Sequence, residues 1–169
     1  MLVGLYDHAG EVVVILTRRS AQLRSHTFEV SFPGGREDPT DDNLWQTALR
    51  EAKEEVDLDP SLVHHLGELD RFVTVGSQSL IHPFVARVEG RPTLAAQPEE
   101  VDEILEVSLS ELLLDEVWRE EIWKIGGTER AITFFELHGN TVWGATASIL
   151  RQFLTLVTST QDRTQERFG

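Results

Sequence analysis

Glu51, Glu54 and Glu55 stand together in the run REAKEEVDL, residues 50–58. On a helix, residues three and four apart share one side, so Glu51 and Glu55 would bring their Cβ atoms to roughly 5–6 Å. Like charges at that spacing destabilise an isolated helix by a few tenths of a kcal/mol. Runs of this kind are usually solvated surface. Here a Gly34–Gly35 turn shortly precedes the run. Glycine lets backbone carbonyls and N–H groups approach a ligand closely. Carboxylates with a few waters and substrate phosphate are the ligands that Mg²⁺ or Mn²⁺ takes. Turn, helix and acidic cluster together predict a metal–phosphate site.

The elements that must position these groups follow from pattern. Residues 43–56 have helical periodicity, with Trp45, Ala48, Leu49, Ala52 and Val56 on one face and Asp41 or Asp42 as the N-cap. Segments 2–6 and 11–17 read as a β-hairpin around DHAG, and 29–32 as a short extended piece. Segments 66–75 and 80–88 are strand-like, 104–107 is a short strand and 109–118 a short helix. WREEIWKI and RAITFFELHG read as a second hairpin around GGTE, and 141–158 as the closing helix. The four tryptophans, including Trp143, read as packing residues, and His26, His82 and His138 are scattered without a catalytic pattern. A mixed sheet covered by two main helices is the expected α/β (α+β) packing, with one domain over 1–158 and a polar, frayed tail over 159–169.

The charge balance constrains partners. A formal net charge of −14 repels nucleic acid and anionic membrane, so neither is an expected partner. An anionic small molecule would need cations, supplied by arginine or by bound metal. There is no cysteine, hence no disulfide framework, thiol nucleophile or Cys-based zinc site. The start is apolar but interrupted by Asp7, His8, Gly10 and Glu11, which does not read as a signal peptide. No apolar run approaches the ~18 residues of a membrane span, so a cytoplasmic protein, monomer or homodimer, is expected.

Gly35, five residues to Asp41, eight residues to Arg50, then Glu51, Glu54, Glu55 and Leu58 resemble the Nudix box. In that box a glycine, a glutamate, an Arg-Glu pair, a Glu-Glu pair and a glycine recur at similar intervals. Asp41 or Asp42 replaces the first glutamate: Asp41 keeps the interval from Gly35 but lies one residue further from Arg50, whereas Asp42 keeps the seven residues to Arg50 but lengthens the glycine side. Asp57 replaces the last glycine. Upstream, Leu16, Thr17, Arg19, Ser20, Arg24, Phe32, Pro33, Gly34 and Gly35 resemble the segment that marks the coenzyme A diphosphatase branch of Nudix hydrolases, with Phe28 where that branch has glycine. The longer interval before Arg50 is also similar to that branch.

The resemblance implies a Nudix fold, a mixed sheet between helices (α/β/α), and metal-dependent hydrolysis of a nucleoside diphosphate linkage. In the branch this is cleavage of coenzyme A to 4′-phosphopantetheine and adenosine 3′,5′-bisphosphate. It implies Glu51, Glu54, Glu55 and the Gly35 carbonyl as metal ligands and Arg50 as the residue orienting them. Glu54, or a loop glutamate at Glu100 or Glu103, is the expected general base. Arg19 and Arg24, with Gly34 and Gly35, are expected at the substrate phosphates, since guanidinium binds phosphate bidentately. Two rivals remain: the same chemistry on ADP-ribose, NADH or a nucleotide sugar, and a non-catalytic nucleotide-binding module, which would be expected to have lost metal carboxylates.

Overall fold

The structure, a computed structural model, describes residues 1–21, 28–74 and 78–158; the segments 22–27, 75–77 and 159–169 lie outside the described residues. Strands β1 (Leu2–His8) and β2 (Glu11–Arg19) form the expected hairpin around Ala9 and Gly10, both at positive φ. The central sheet adds β3 (Val30–Ser31), β4 (Val63–Glu68), β7 (Phe84–Val88) and β8 (Val101–Ser108). β7 runs parallel to β1 and antiparallel to β4. β8 lies along one edge of β2 from Val13 to Arg19, so β1 and then β3 share the opposite edge. The sheet is therefore mixed.

Alternation along the central strands feeds two cores. Val3, Leu5, Val14, Leu16, Leu105 and Val107 point to one face. There they meet Ala147, Ile149, Leu150 and Phe153 of α3 (Gly144–Thr158). Leu2, Tyr6, Val13, Ile15, Ala86 and Val88 point to the other face, against Ala48, Ala52 and Val56 of α1 (Leu44–Val56). The predicted apolar stripe of α1 is the buried one, and each helix covers one face as expected for a sheet between helices.

Several sequence expectations are corrected. The N-cap of α1 is Asn43, whose side chain accepts from Gln46 N–H at 3.0 Å. Asp41 is unavailable because Arg50 and Thr47 take both its oxygens. The 66–88 region is broken into β4, β5 (Phe72–Val73), β6 (Leu80–Ile81) and β7, with a 3₁₀ turn at Pro60–Leu62. The short helix after β8 is limited to α2 (Leu109–Leu112). A second sheet holds β9 (Trp118–Ile125), β10 (Thr128–Leu137) and β11 (Asn140–Val142). Residues 141–142, expected to open the last helix, instead pair with β10 across a His138–Gly139 turn at positive φ. Apolar periodicity does not distinguish a short β-branched return strand from a first helical turn. None of the tryptophans is fully buried: Trp123 and Trp143 are 40% and 46% exposed, their rings 6.4 Å apart.

Candidate active site

The acidic helix is held at both ends. At its start Asp41 accepts from Arg50 Nε and Nη2, each at 3.0 Å, and from Thr47 Oγ1 at 2.9 Å. The Arg50 bonds hold the Asp41 carboxyl well below the usual carboxylate range. Asp41 thereby takes the place of the expected first glutamate, one residue earlier. At its end Asp57 adopts φ 57° and ψ 27°, the left-handed conformation that glycine would supply more readily, and its N–H reaches the Lys53 carbonyl at 3.0 Å.

Arg50 then organises the carboxylates. Its Nη1 contacts Glu51 Oε1 and Glu54 Oε2, both at 3.0 Å, and its Nη2 donates to the Arg36 carbonyl at 3.0 Å. The three glutamates are not equivalent. Glu54 is exposed and Glu51 half-buried, while Glu55 is only 4% exposed. Gly34 N–H donates to Glu55 Oε2 at 3.1 Å, which ties the glycine turn to the helix.

Burial pushes the Glu55 carboxyl up to about 7; the Gly34 N–H opposes the shift, and the charges of Glu51 and Glu100 add to it. Burial also raises Glu51, opposed by Arg50 and reinforced by Glu54 and Glu100. A Cβ on Gly35 would overlap the Glu51 carboxylate, so a side chain there would force the carboxylate to move. At Gly34, φ +153° and a Cβ position 2.7 Å from the Met1 Cα exclude a side chain as well.

This donor set fits a hard divalent cation. Glu51 raises the pKa of the buried Glu55 and Glu100 raises both, so the cluster lacks positive charge, and the glycine turn packs against it with no side chain between. Arg50 supplies part of that charge by drawing Glu51 and Glu54 to itself. Among the described residues no three acidic or imidazole groups converge on one point as they stand.

The remaining predicted residues divide. Gln97 N–H donates to the Glu55 backbone carbonyl at 2.9 Å, which brings the turn 98–100 over the helix. Glu100 thus lies within electrostatic reach of Glu51 and Glu55. Glu103 does not sit in that loop. It belongs to β8 and contacts Arg18 Nη1 at 2.9 Å, beside the bonds from Arg18 to Asp102 and Asn140. Arg18 is accordingly tied up. Arg19 lies at the end of β2, its charge opposing the raised pKa of Glu55, and its Nε is buried without a hydrogen-bond partner among the described residues. Arg24 lies outside the described residues. Thr47 and Arg50 both donate to Asp41, an arrangement that the spacing of Asp41 in the sequence does not distinguish from a helix cap.

Comparison with known proteins agrees with this arrangement. The NUDIX domain profile matches residues 1–125. An uncharacterized Nudix hydrolase, NudL, of Photorhabdus laumondii is 39% identical over 139 residues, covering 82% of this chain and 74% of that protein. A MutT/nudix family protein from Enterococcus faecalis is similar in structure, with TM-score 0.59 at 17% identity over 93% of this chain and 60% of that one. The Nudix domain of Shewanella oneidensis NrtR, complexed with ADP ribose, has TM-score 0.51 at 19% identity over 66% and 72%. By its glycine turn, its carboxylate helix and these matches, the chain belongs to the Nudix hydrolase family.

Proposed function

We propose that this chain hydrolyses coenzyme A, or an acylated or oxidised form of it, to 4′-phosphopantetheine and adenosine 3′,5′-bisphosphate. The observation that carries the reading is the buried Glu55, bonded to the glycine turn and flanked by Glu51. The coenzyme A choice is supported by the match from Leu16 to Gly35. It is also supported by Phe28, which adopts φ +61° where the branch has glycine; the backbone keeps the conformation glycine favours.

Glu51, Glu54, Glu55 and the Gly35 carbonyl would hold Mg²⁺ or Mn²⁺, which supplies charge for the diphosphate oxygens and acidifies bound water. Arg50 positions Glu51 and Glu54, and Asp41 positions Arg50. Arg19, with Arg24, binds phosphate. A water oxygen attacks phosphorus, the P–O bond to the bridging oxygen breaks, and the departing phosphate leaves with that oxygen. Glu54 or Glu100 takes the proton; Glu103 is poorly suited because Arg18 holds it.

One observation favours a second reading. Phe28 is 57% exposed, and a bulky ring in the phosphate loop favours another diphosphate such as ADP-ribose, NADH or a nucleotide sugar. Product analysis with Mg²⁺ or Mn²⁺ on coenzyme A, its 3′-dephospho form and ADP-ribose separates the two. Preference for the 3′-phosphate supports the first reading, and ADP-ribose cleaved while coenzyme A stays intact sinks it.

A further inference from the structure

β9 ends the second sheet: β10 pairs along one edge, and among the described residues no strand pairs along the other. The hairpin fixes which backbone groups face outward. Ile125 and Thr128 close a two-residue turn, Gly126 and Gly127, with φ 58° and 85°. Such a turn makes its flanking pair a hydrogen-bonded one. Alternation then points the N–H and C=O of Ile125, Trp123, Glu121 and Arg119 at β10. Val117, two further on, obeys the same parity, since its carbonyl accepts from Glu136 N–H at 2.8 Å. Among the described residues, the N–H and C=O groups of Glu120, Ile122 and Lys124 face the open edge.

Natural edge strands are usually blunted by bulges, prolines or unfavourable charges. The edge of β4 has a register shift between His65 and Gly67, and β8 carries Asp102, Glu103 and Glu106. β9 has neither a register shift nor proline; its four charges, Arg119, Glu120, Glu121 and Lys124, are of both signs where those of β8 are all acidic, and it exposes Ile122 (54%) and Trp123 (40%). Its sequence is also self-complementary. With Ile122 on a two-fold axis, an antiparallel second copy sets Ile122 against Ile122, Glu120 against Lys124, Glu121 against Trp123 and Arg119 against Ile125. No like charges face each other. Sliding by one position on each copy toward the start of the strand sets Glu121 against Glu121. Sliding the other way sets Trp123 against Trp123 but leaves Lys124 opposite Ile122 and Glu121 opposite Ile125, with no opposite-charge pair. Glu120 is already held by Arg151 at 2.9 Å and only 8% of its side chain is exposed, so the second copy's Lys124 would pack beside a neutralised carboxylate.

We propose that β9 pairs antiparallel with β9 of a second copy of this chain, with Ile122 on the two-fold axis, joining two three-stranded sheets into one of six. A single shared edge is small beside the roughly 1,200–2,000 Å² of stable interfaces, so the dimer forms with rising concentration. Because the chain has no cysteine, one introduced thiol reports the register. Ile122→Cys places two Cα atoms at about 5.5 Å, within disulfide range. Lys124→Cys, on the same exposed edge, sets its two copies roughly 13 Å apart along the strand. Mild oxidation should crosslink the Ile122→Cys variant and leave the Lys124→Cys variant monomeric. Light scattering of the native chain should rise toward twice 19.1 kDa. Ile122→Pro removes an N–H that β10 does not use, so it should keep a native circular dichroism spectrum and the single-chain mass. Equal crosslinking at both positions, or a native chain that stays at single-chain mass as concentration rises, overturns the proposal.

Discussion

Glu55 carries opposed demands. Burial raises its folded-state pKa to about 7 from an ordinary 4.5. Between these values the folded, metal-free chain keeps a proton that the unfolded chain has lost. Stability of chelator-treated protein should therefore fall as pH rises from 4.5 to about 7, by roughly 2–3 kcal/mol in urea titrations. Glu55→Gln should flatten that slope and lower turnover about 100-fold or more. Unchanged turnover would remove Glu55 from the metal set and revive a binding-module reading. Asp41 touches no reacting group in this scheme, so Asp41→Ala should act through Arg50. A loss of about 10–100-fold in kcat is expected, with a smaller change in KM and partial rescue by Asp41→Glu.

Two positions outside the acidic set fix α1 and the loop before it. Asn43 caps the first turn by its side chain, so Asn43→Ala should destabilise the chain by about 1 kcal/mol in thermal or urea unfolding. Phe28 sits in left-handed backbone that costs a non-glycine residue about 1–2 kcal/mol. Phe28→Gly should relieve part of that strain and raise the melting temperature. If the exposed ring also steers substrate choice, the same variant shifts preference toward coenzyme A relative to ADP-ribose. No change in the ratio would confine Phe28 to a backbone role.

Across the whole molecule, a net charge of −14 surrounds the buried acidic site. A divalent cation that binds only the folded chain should raise stability by about 3 kcal/mol at a hundred times its Kd, read as a thermal shift. Glu51→Gln and Glu55→Gln should each diminish that shift. The same charge makes two copies repel, so association through β9 should strengthen between low and moderate ionic strength as screening improves.

The sequence by itself determined the local features: the first hairpin, α1 with its Ala48–Ala52–Val56 stripe, the glycine turn and the order of the carboxylates. Each is written within a few residues, in spacings that strands and helices translate directly. Only the tertiary structure decided which glutamate is buried, because that depends on the turn and the loop 98–100 closing over one side of α1. It alone separated Glu100 from Glu103, since pairing with β2 extends β8 back to Val101. It alone converted Asp41 from a cap to the anchor of Arg50, and left Trp123 and Trp143 outside the core. Burial and partnership arise from layers far apart in the chain, and periodicity along the chain carries no record of them.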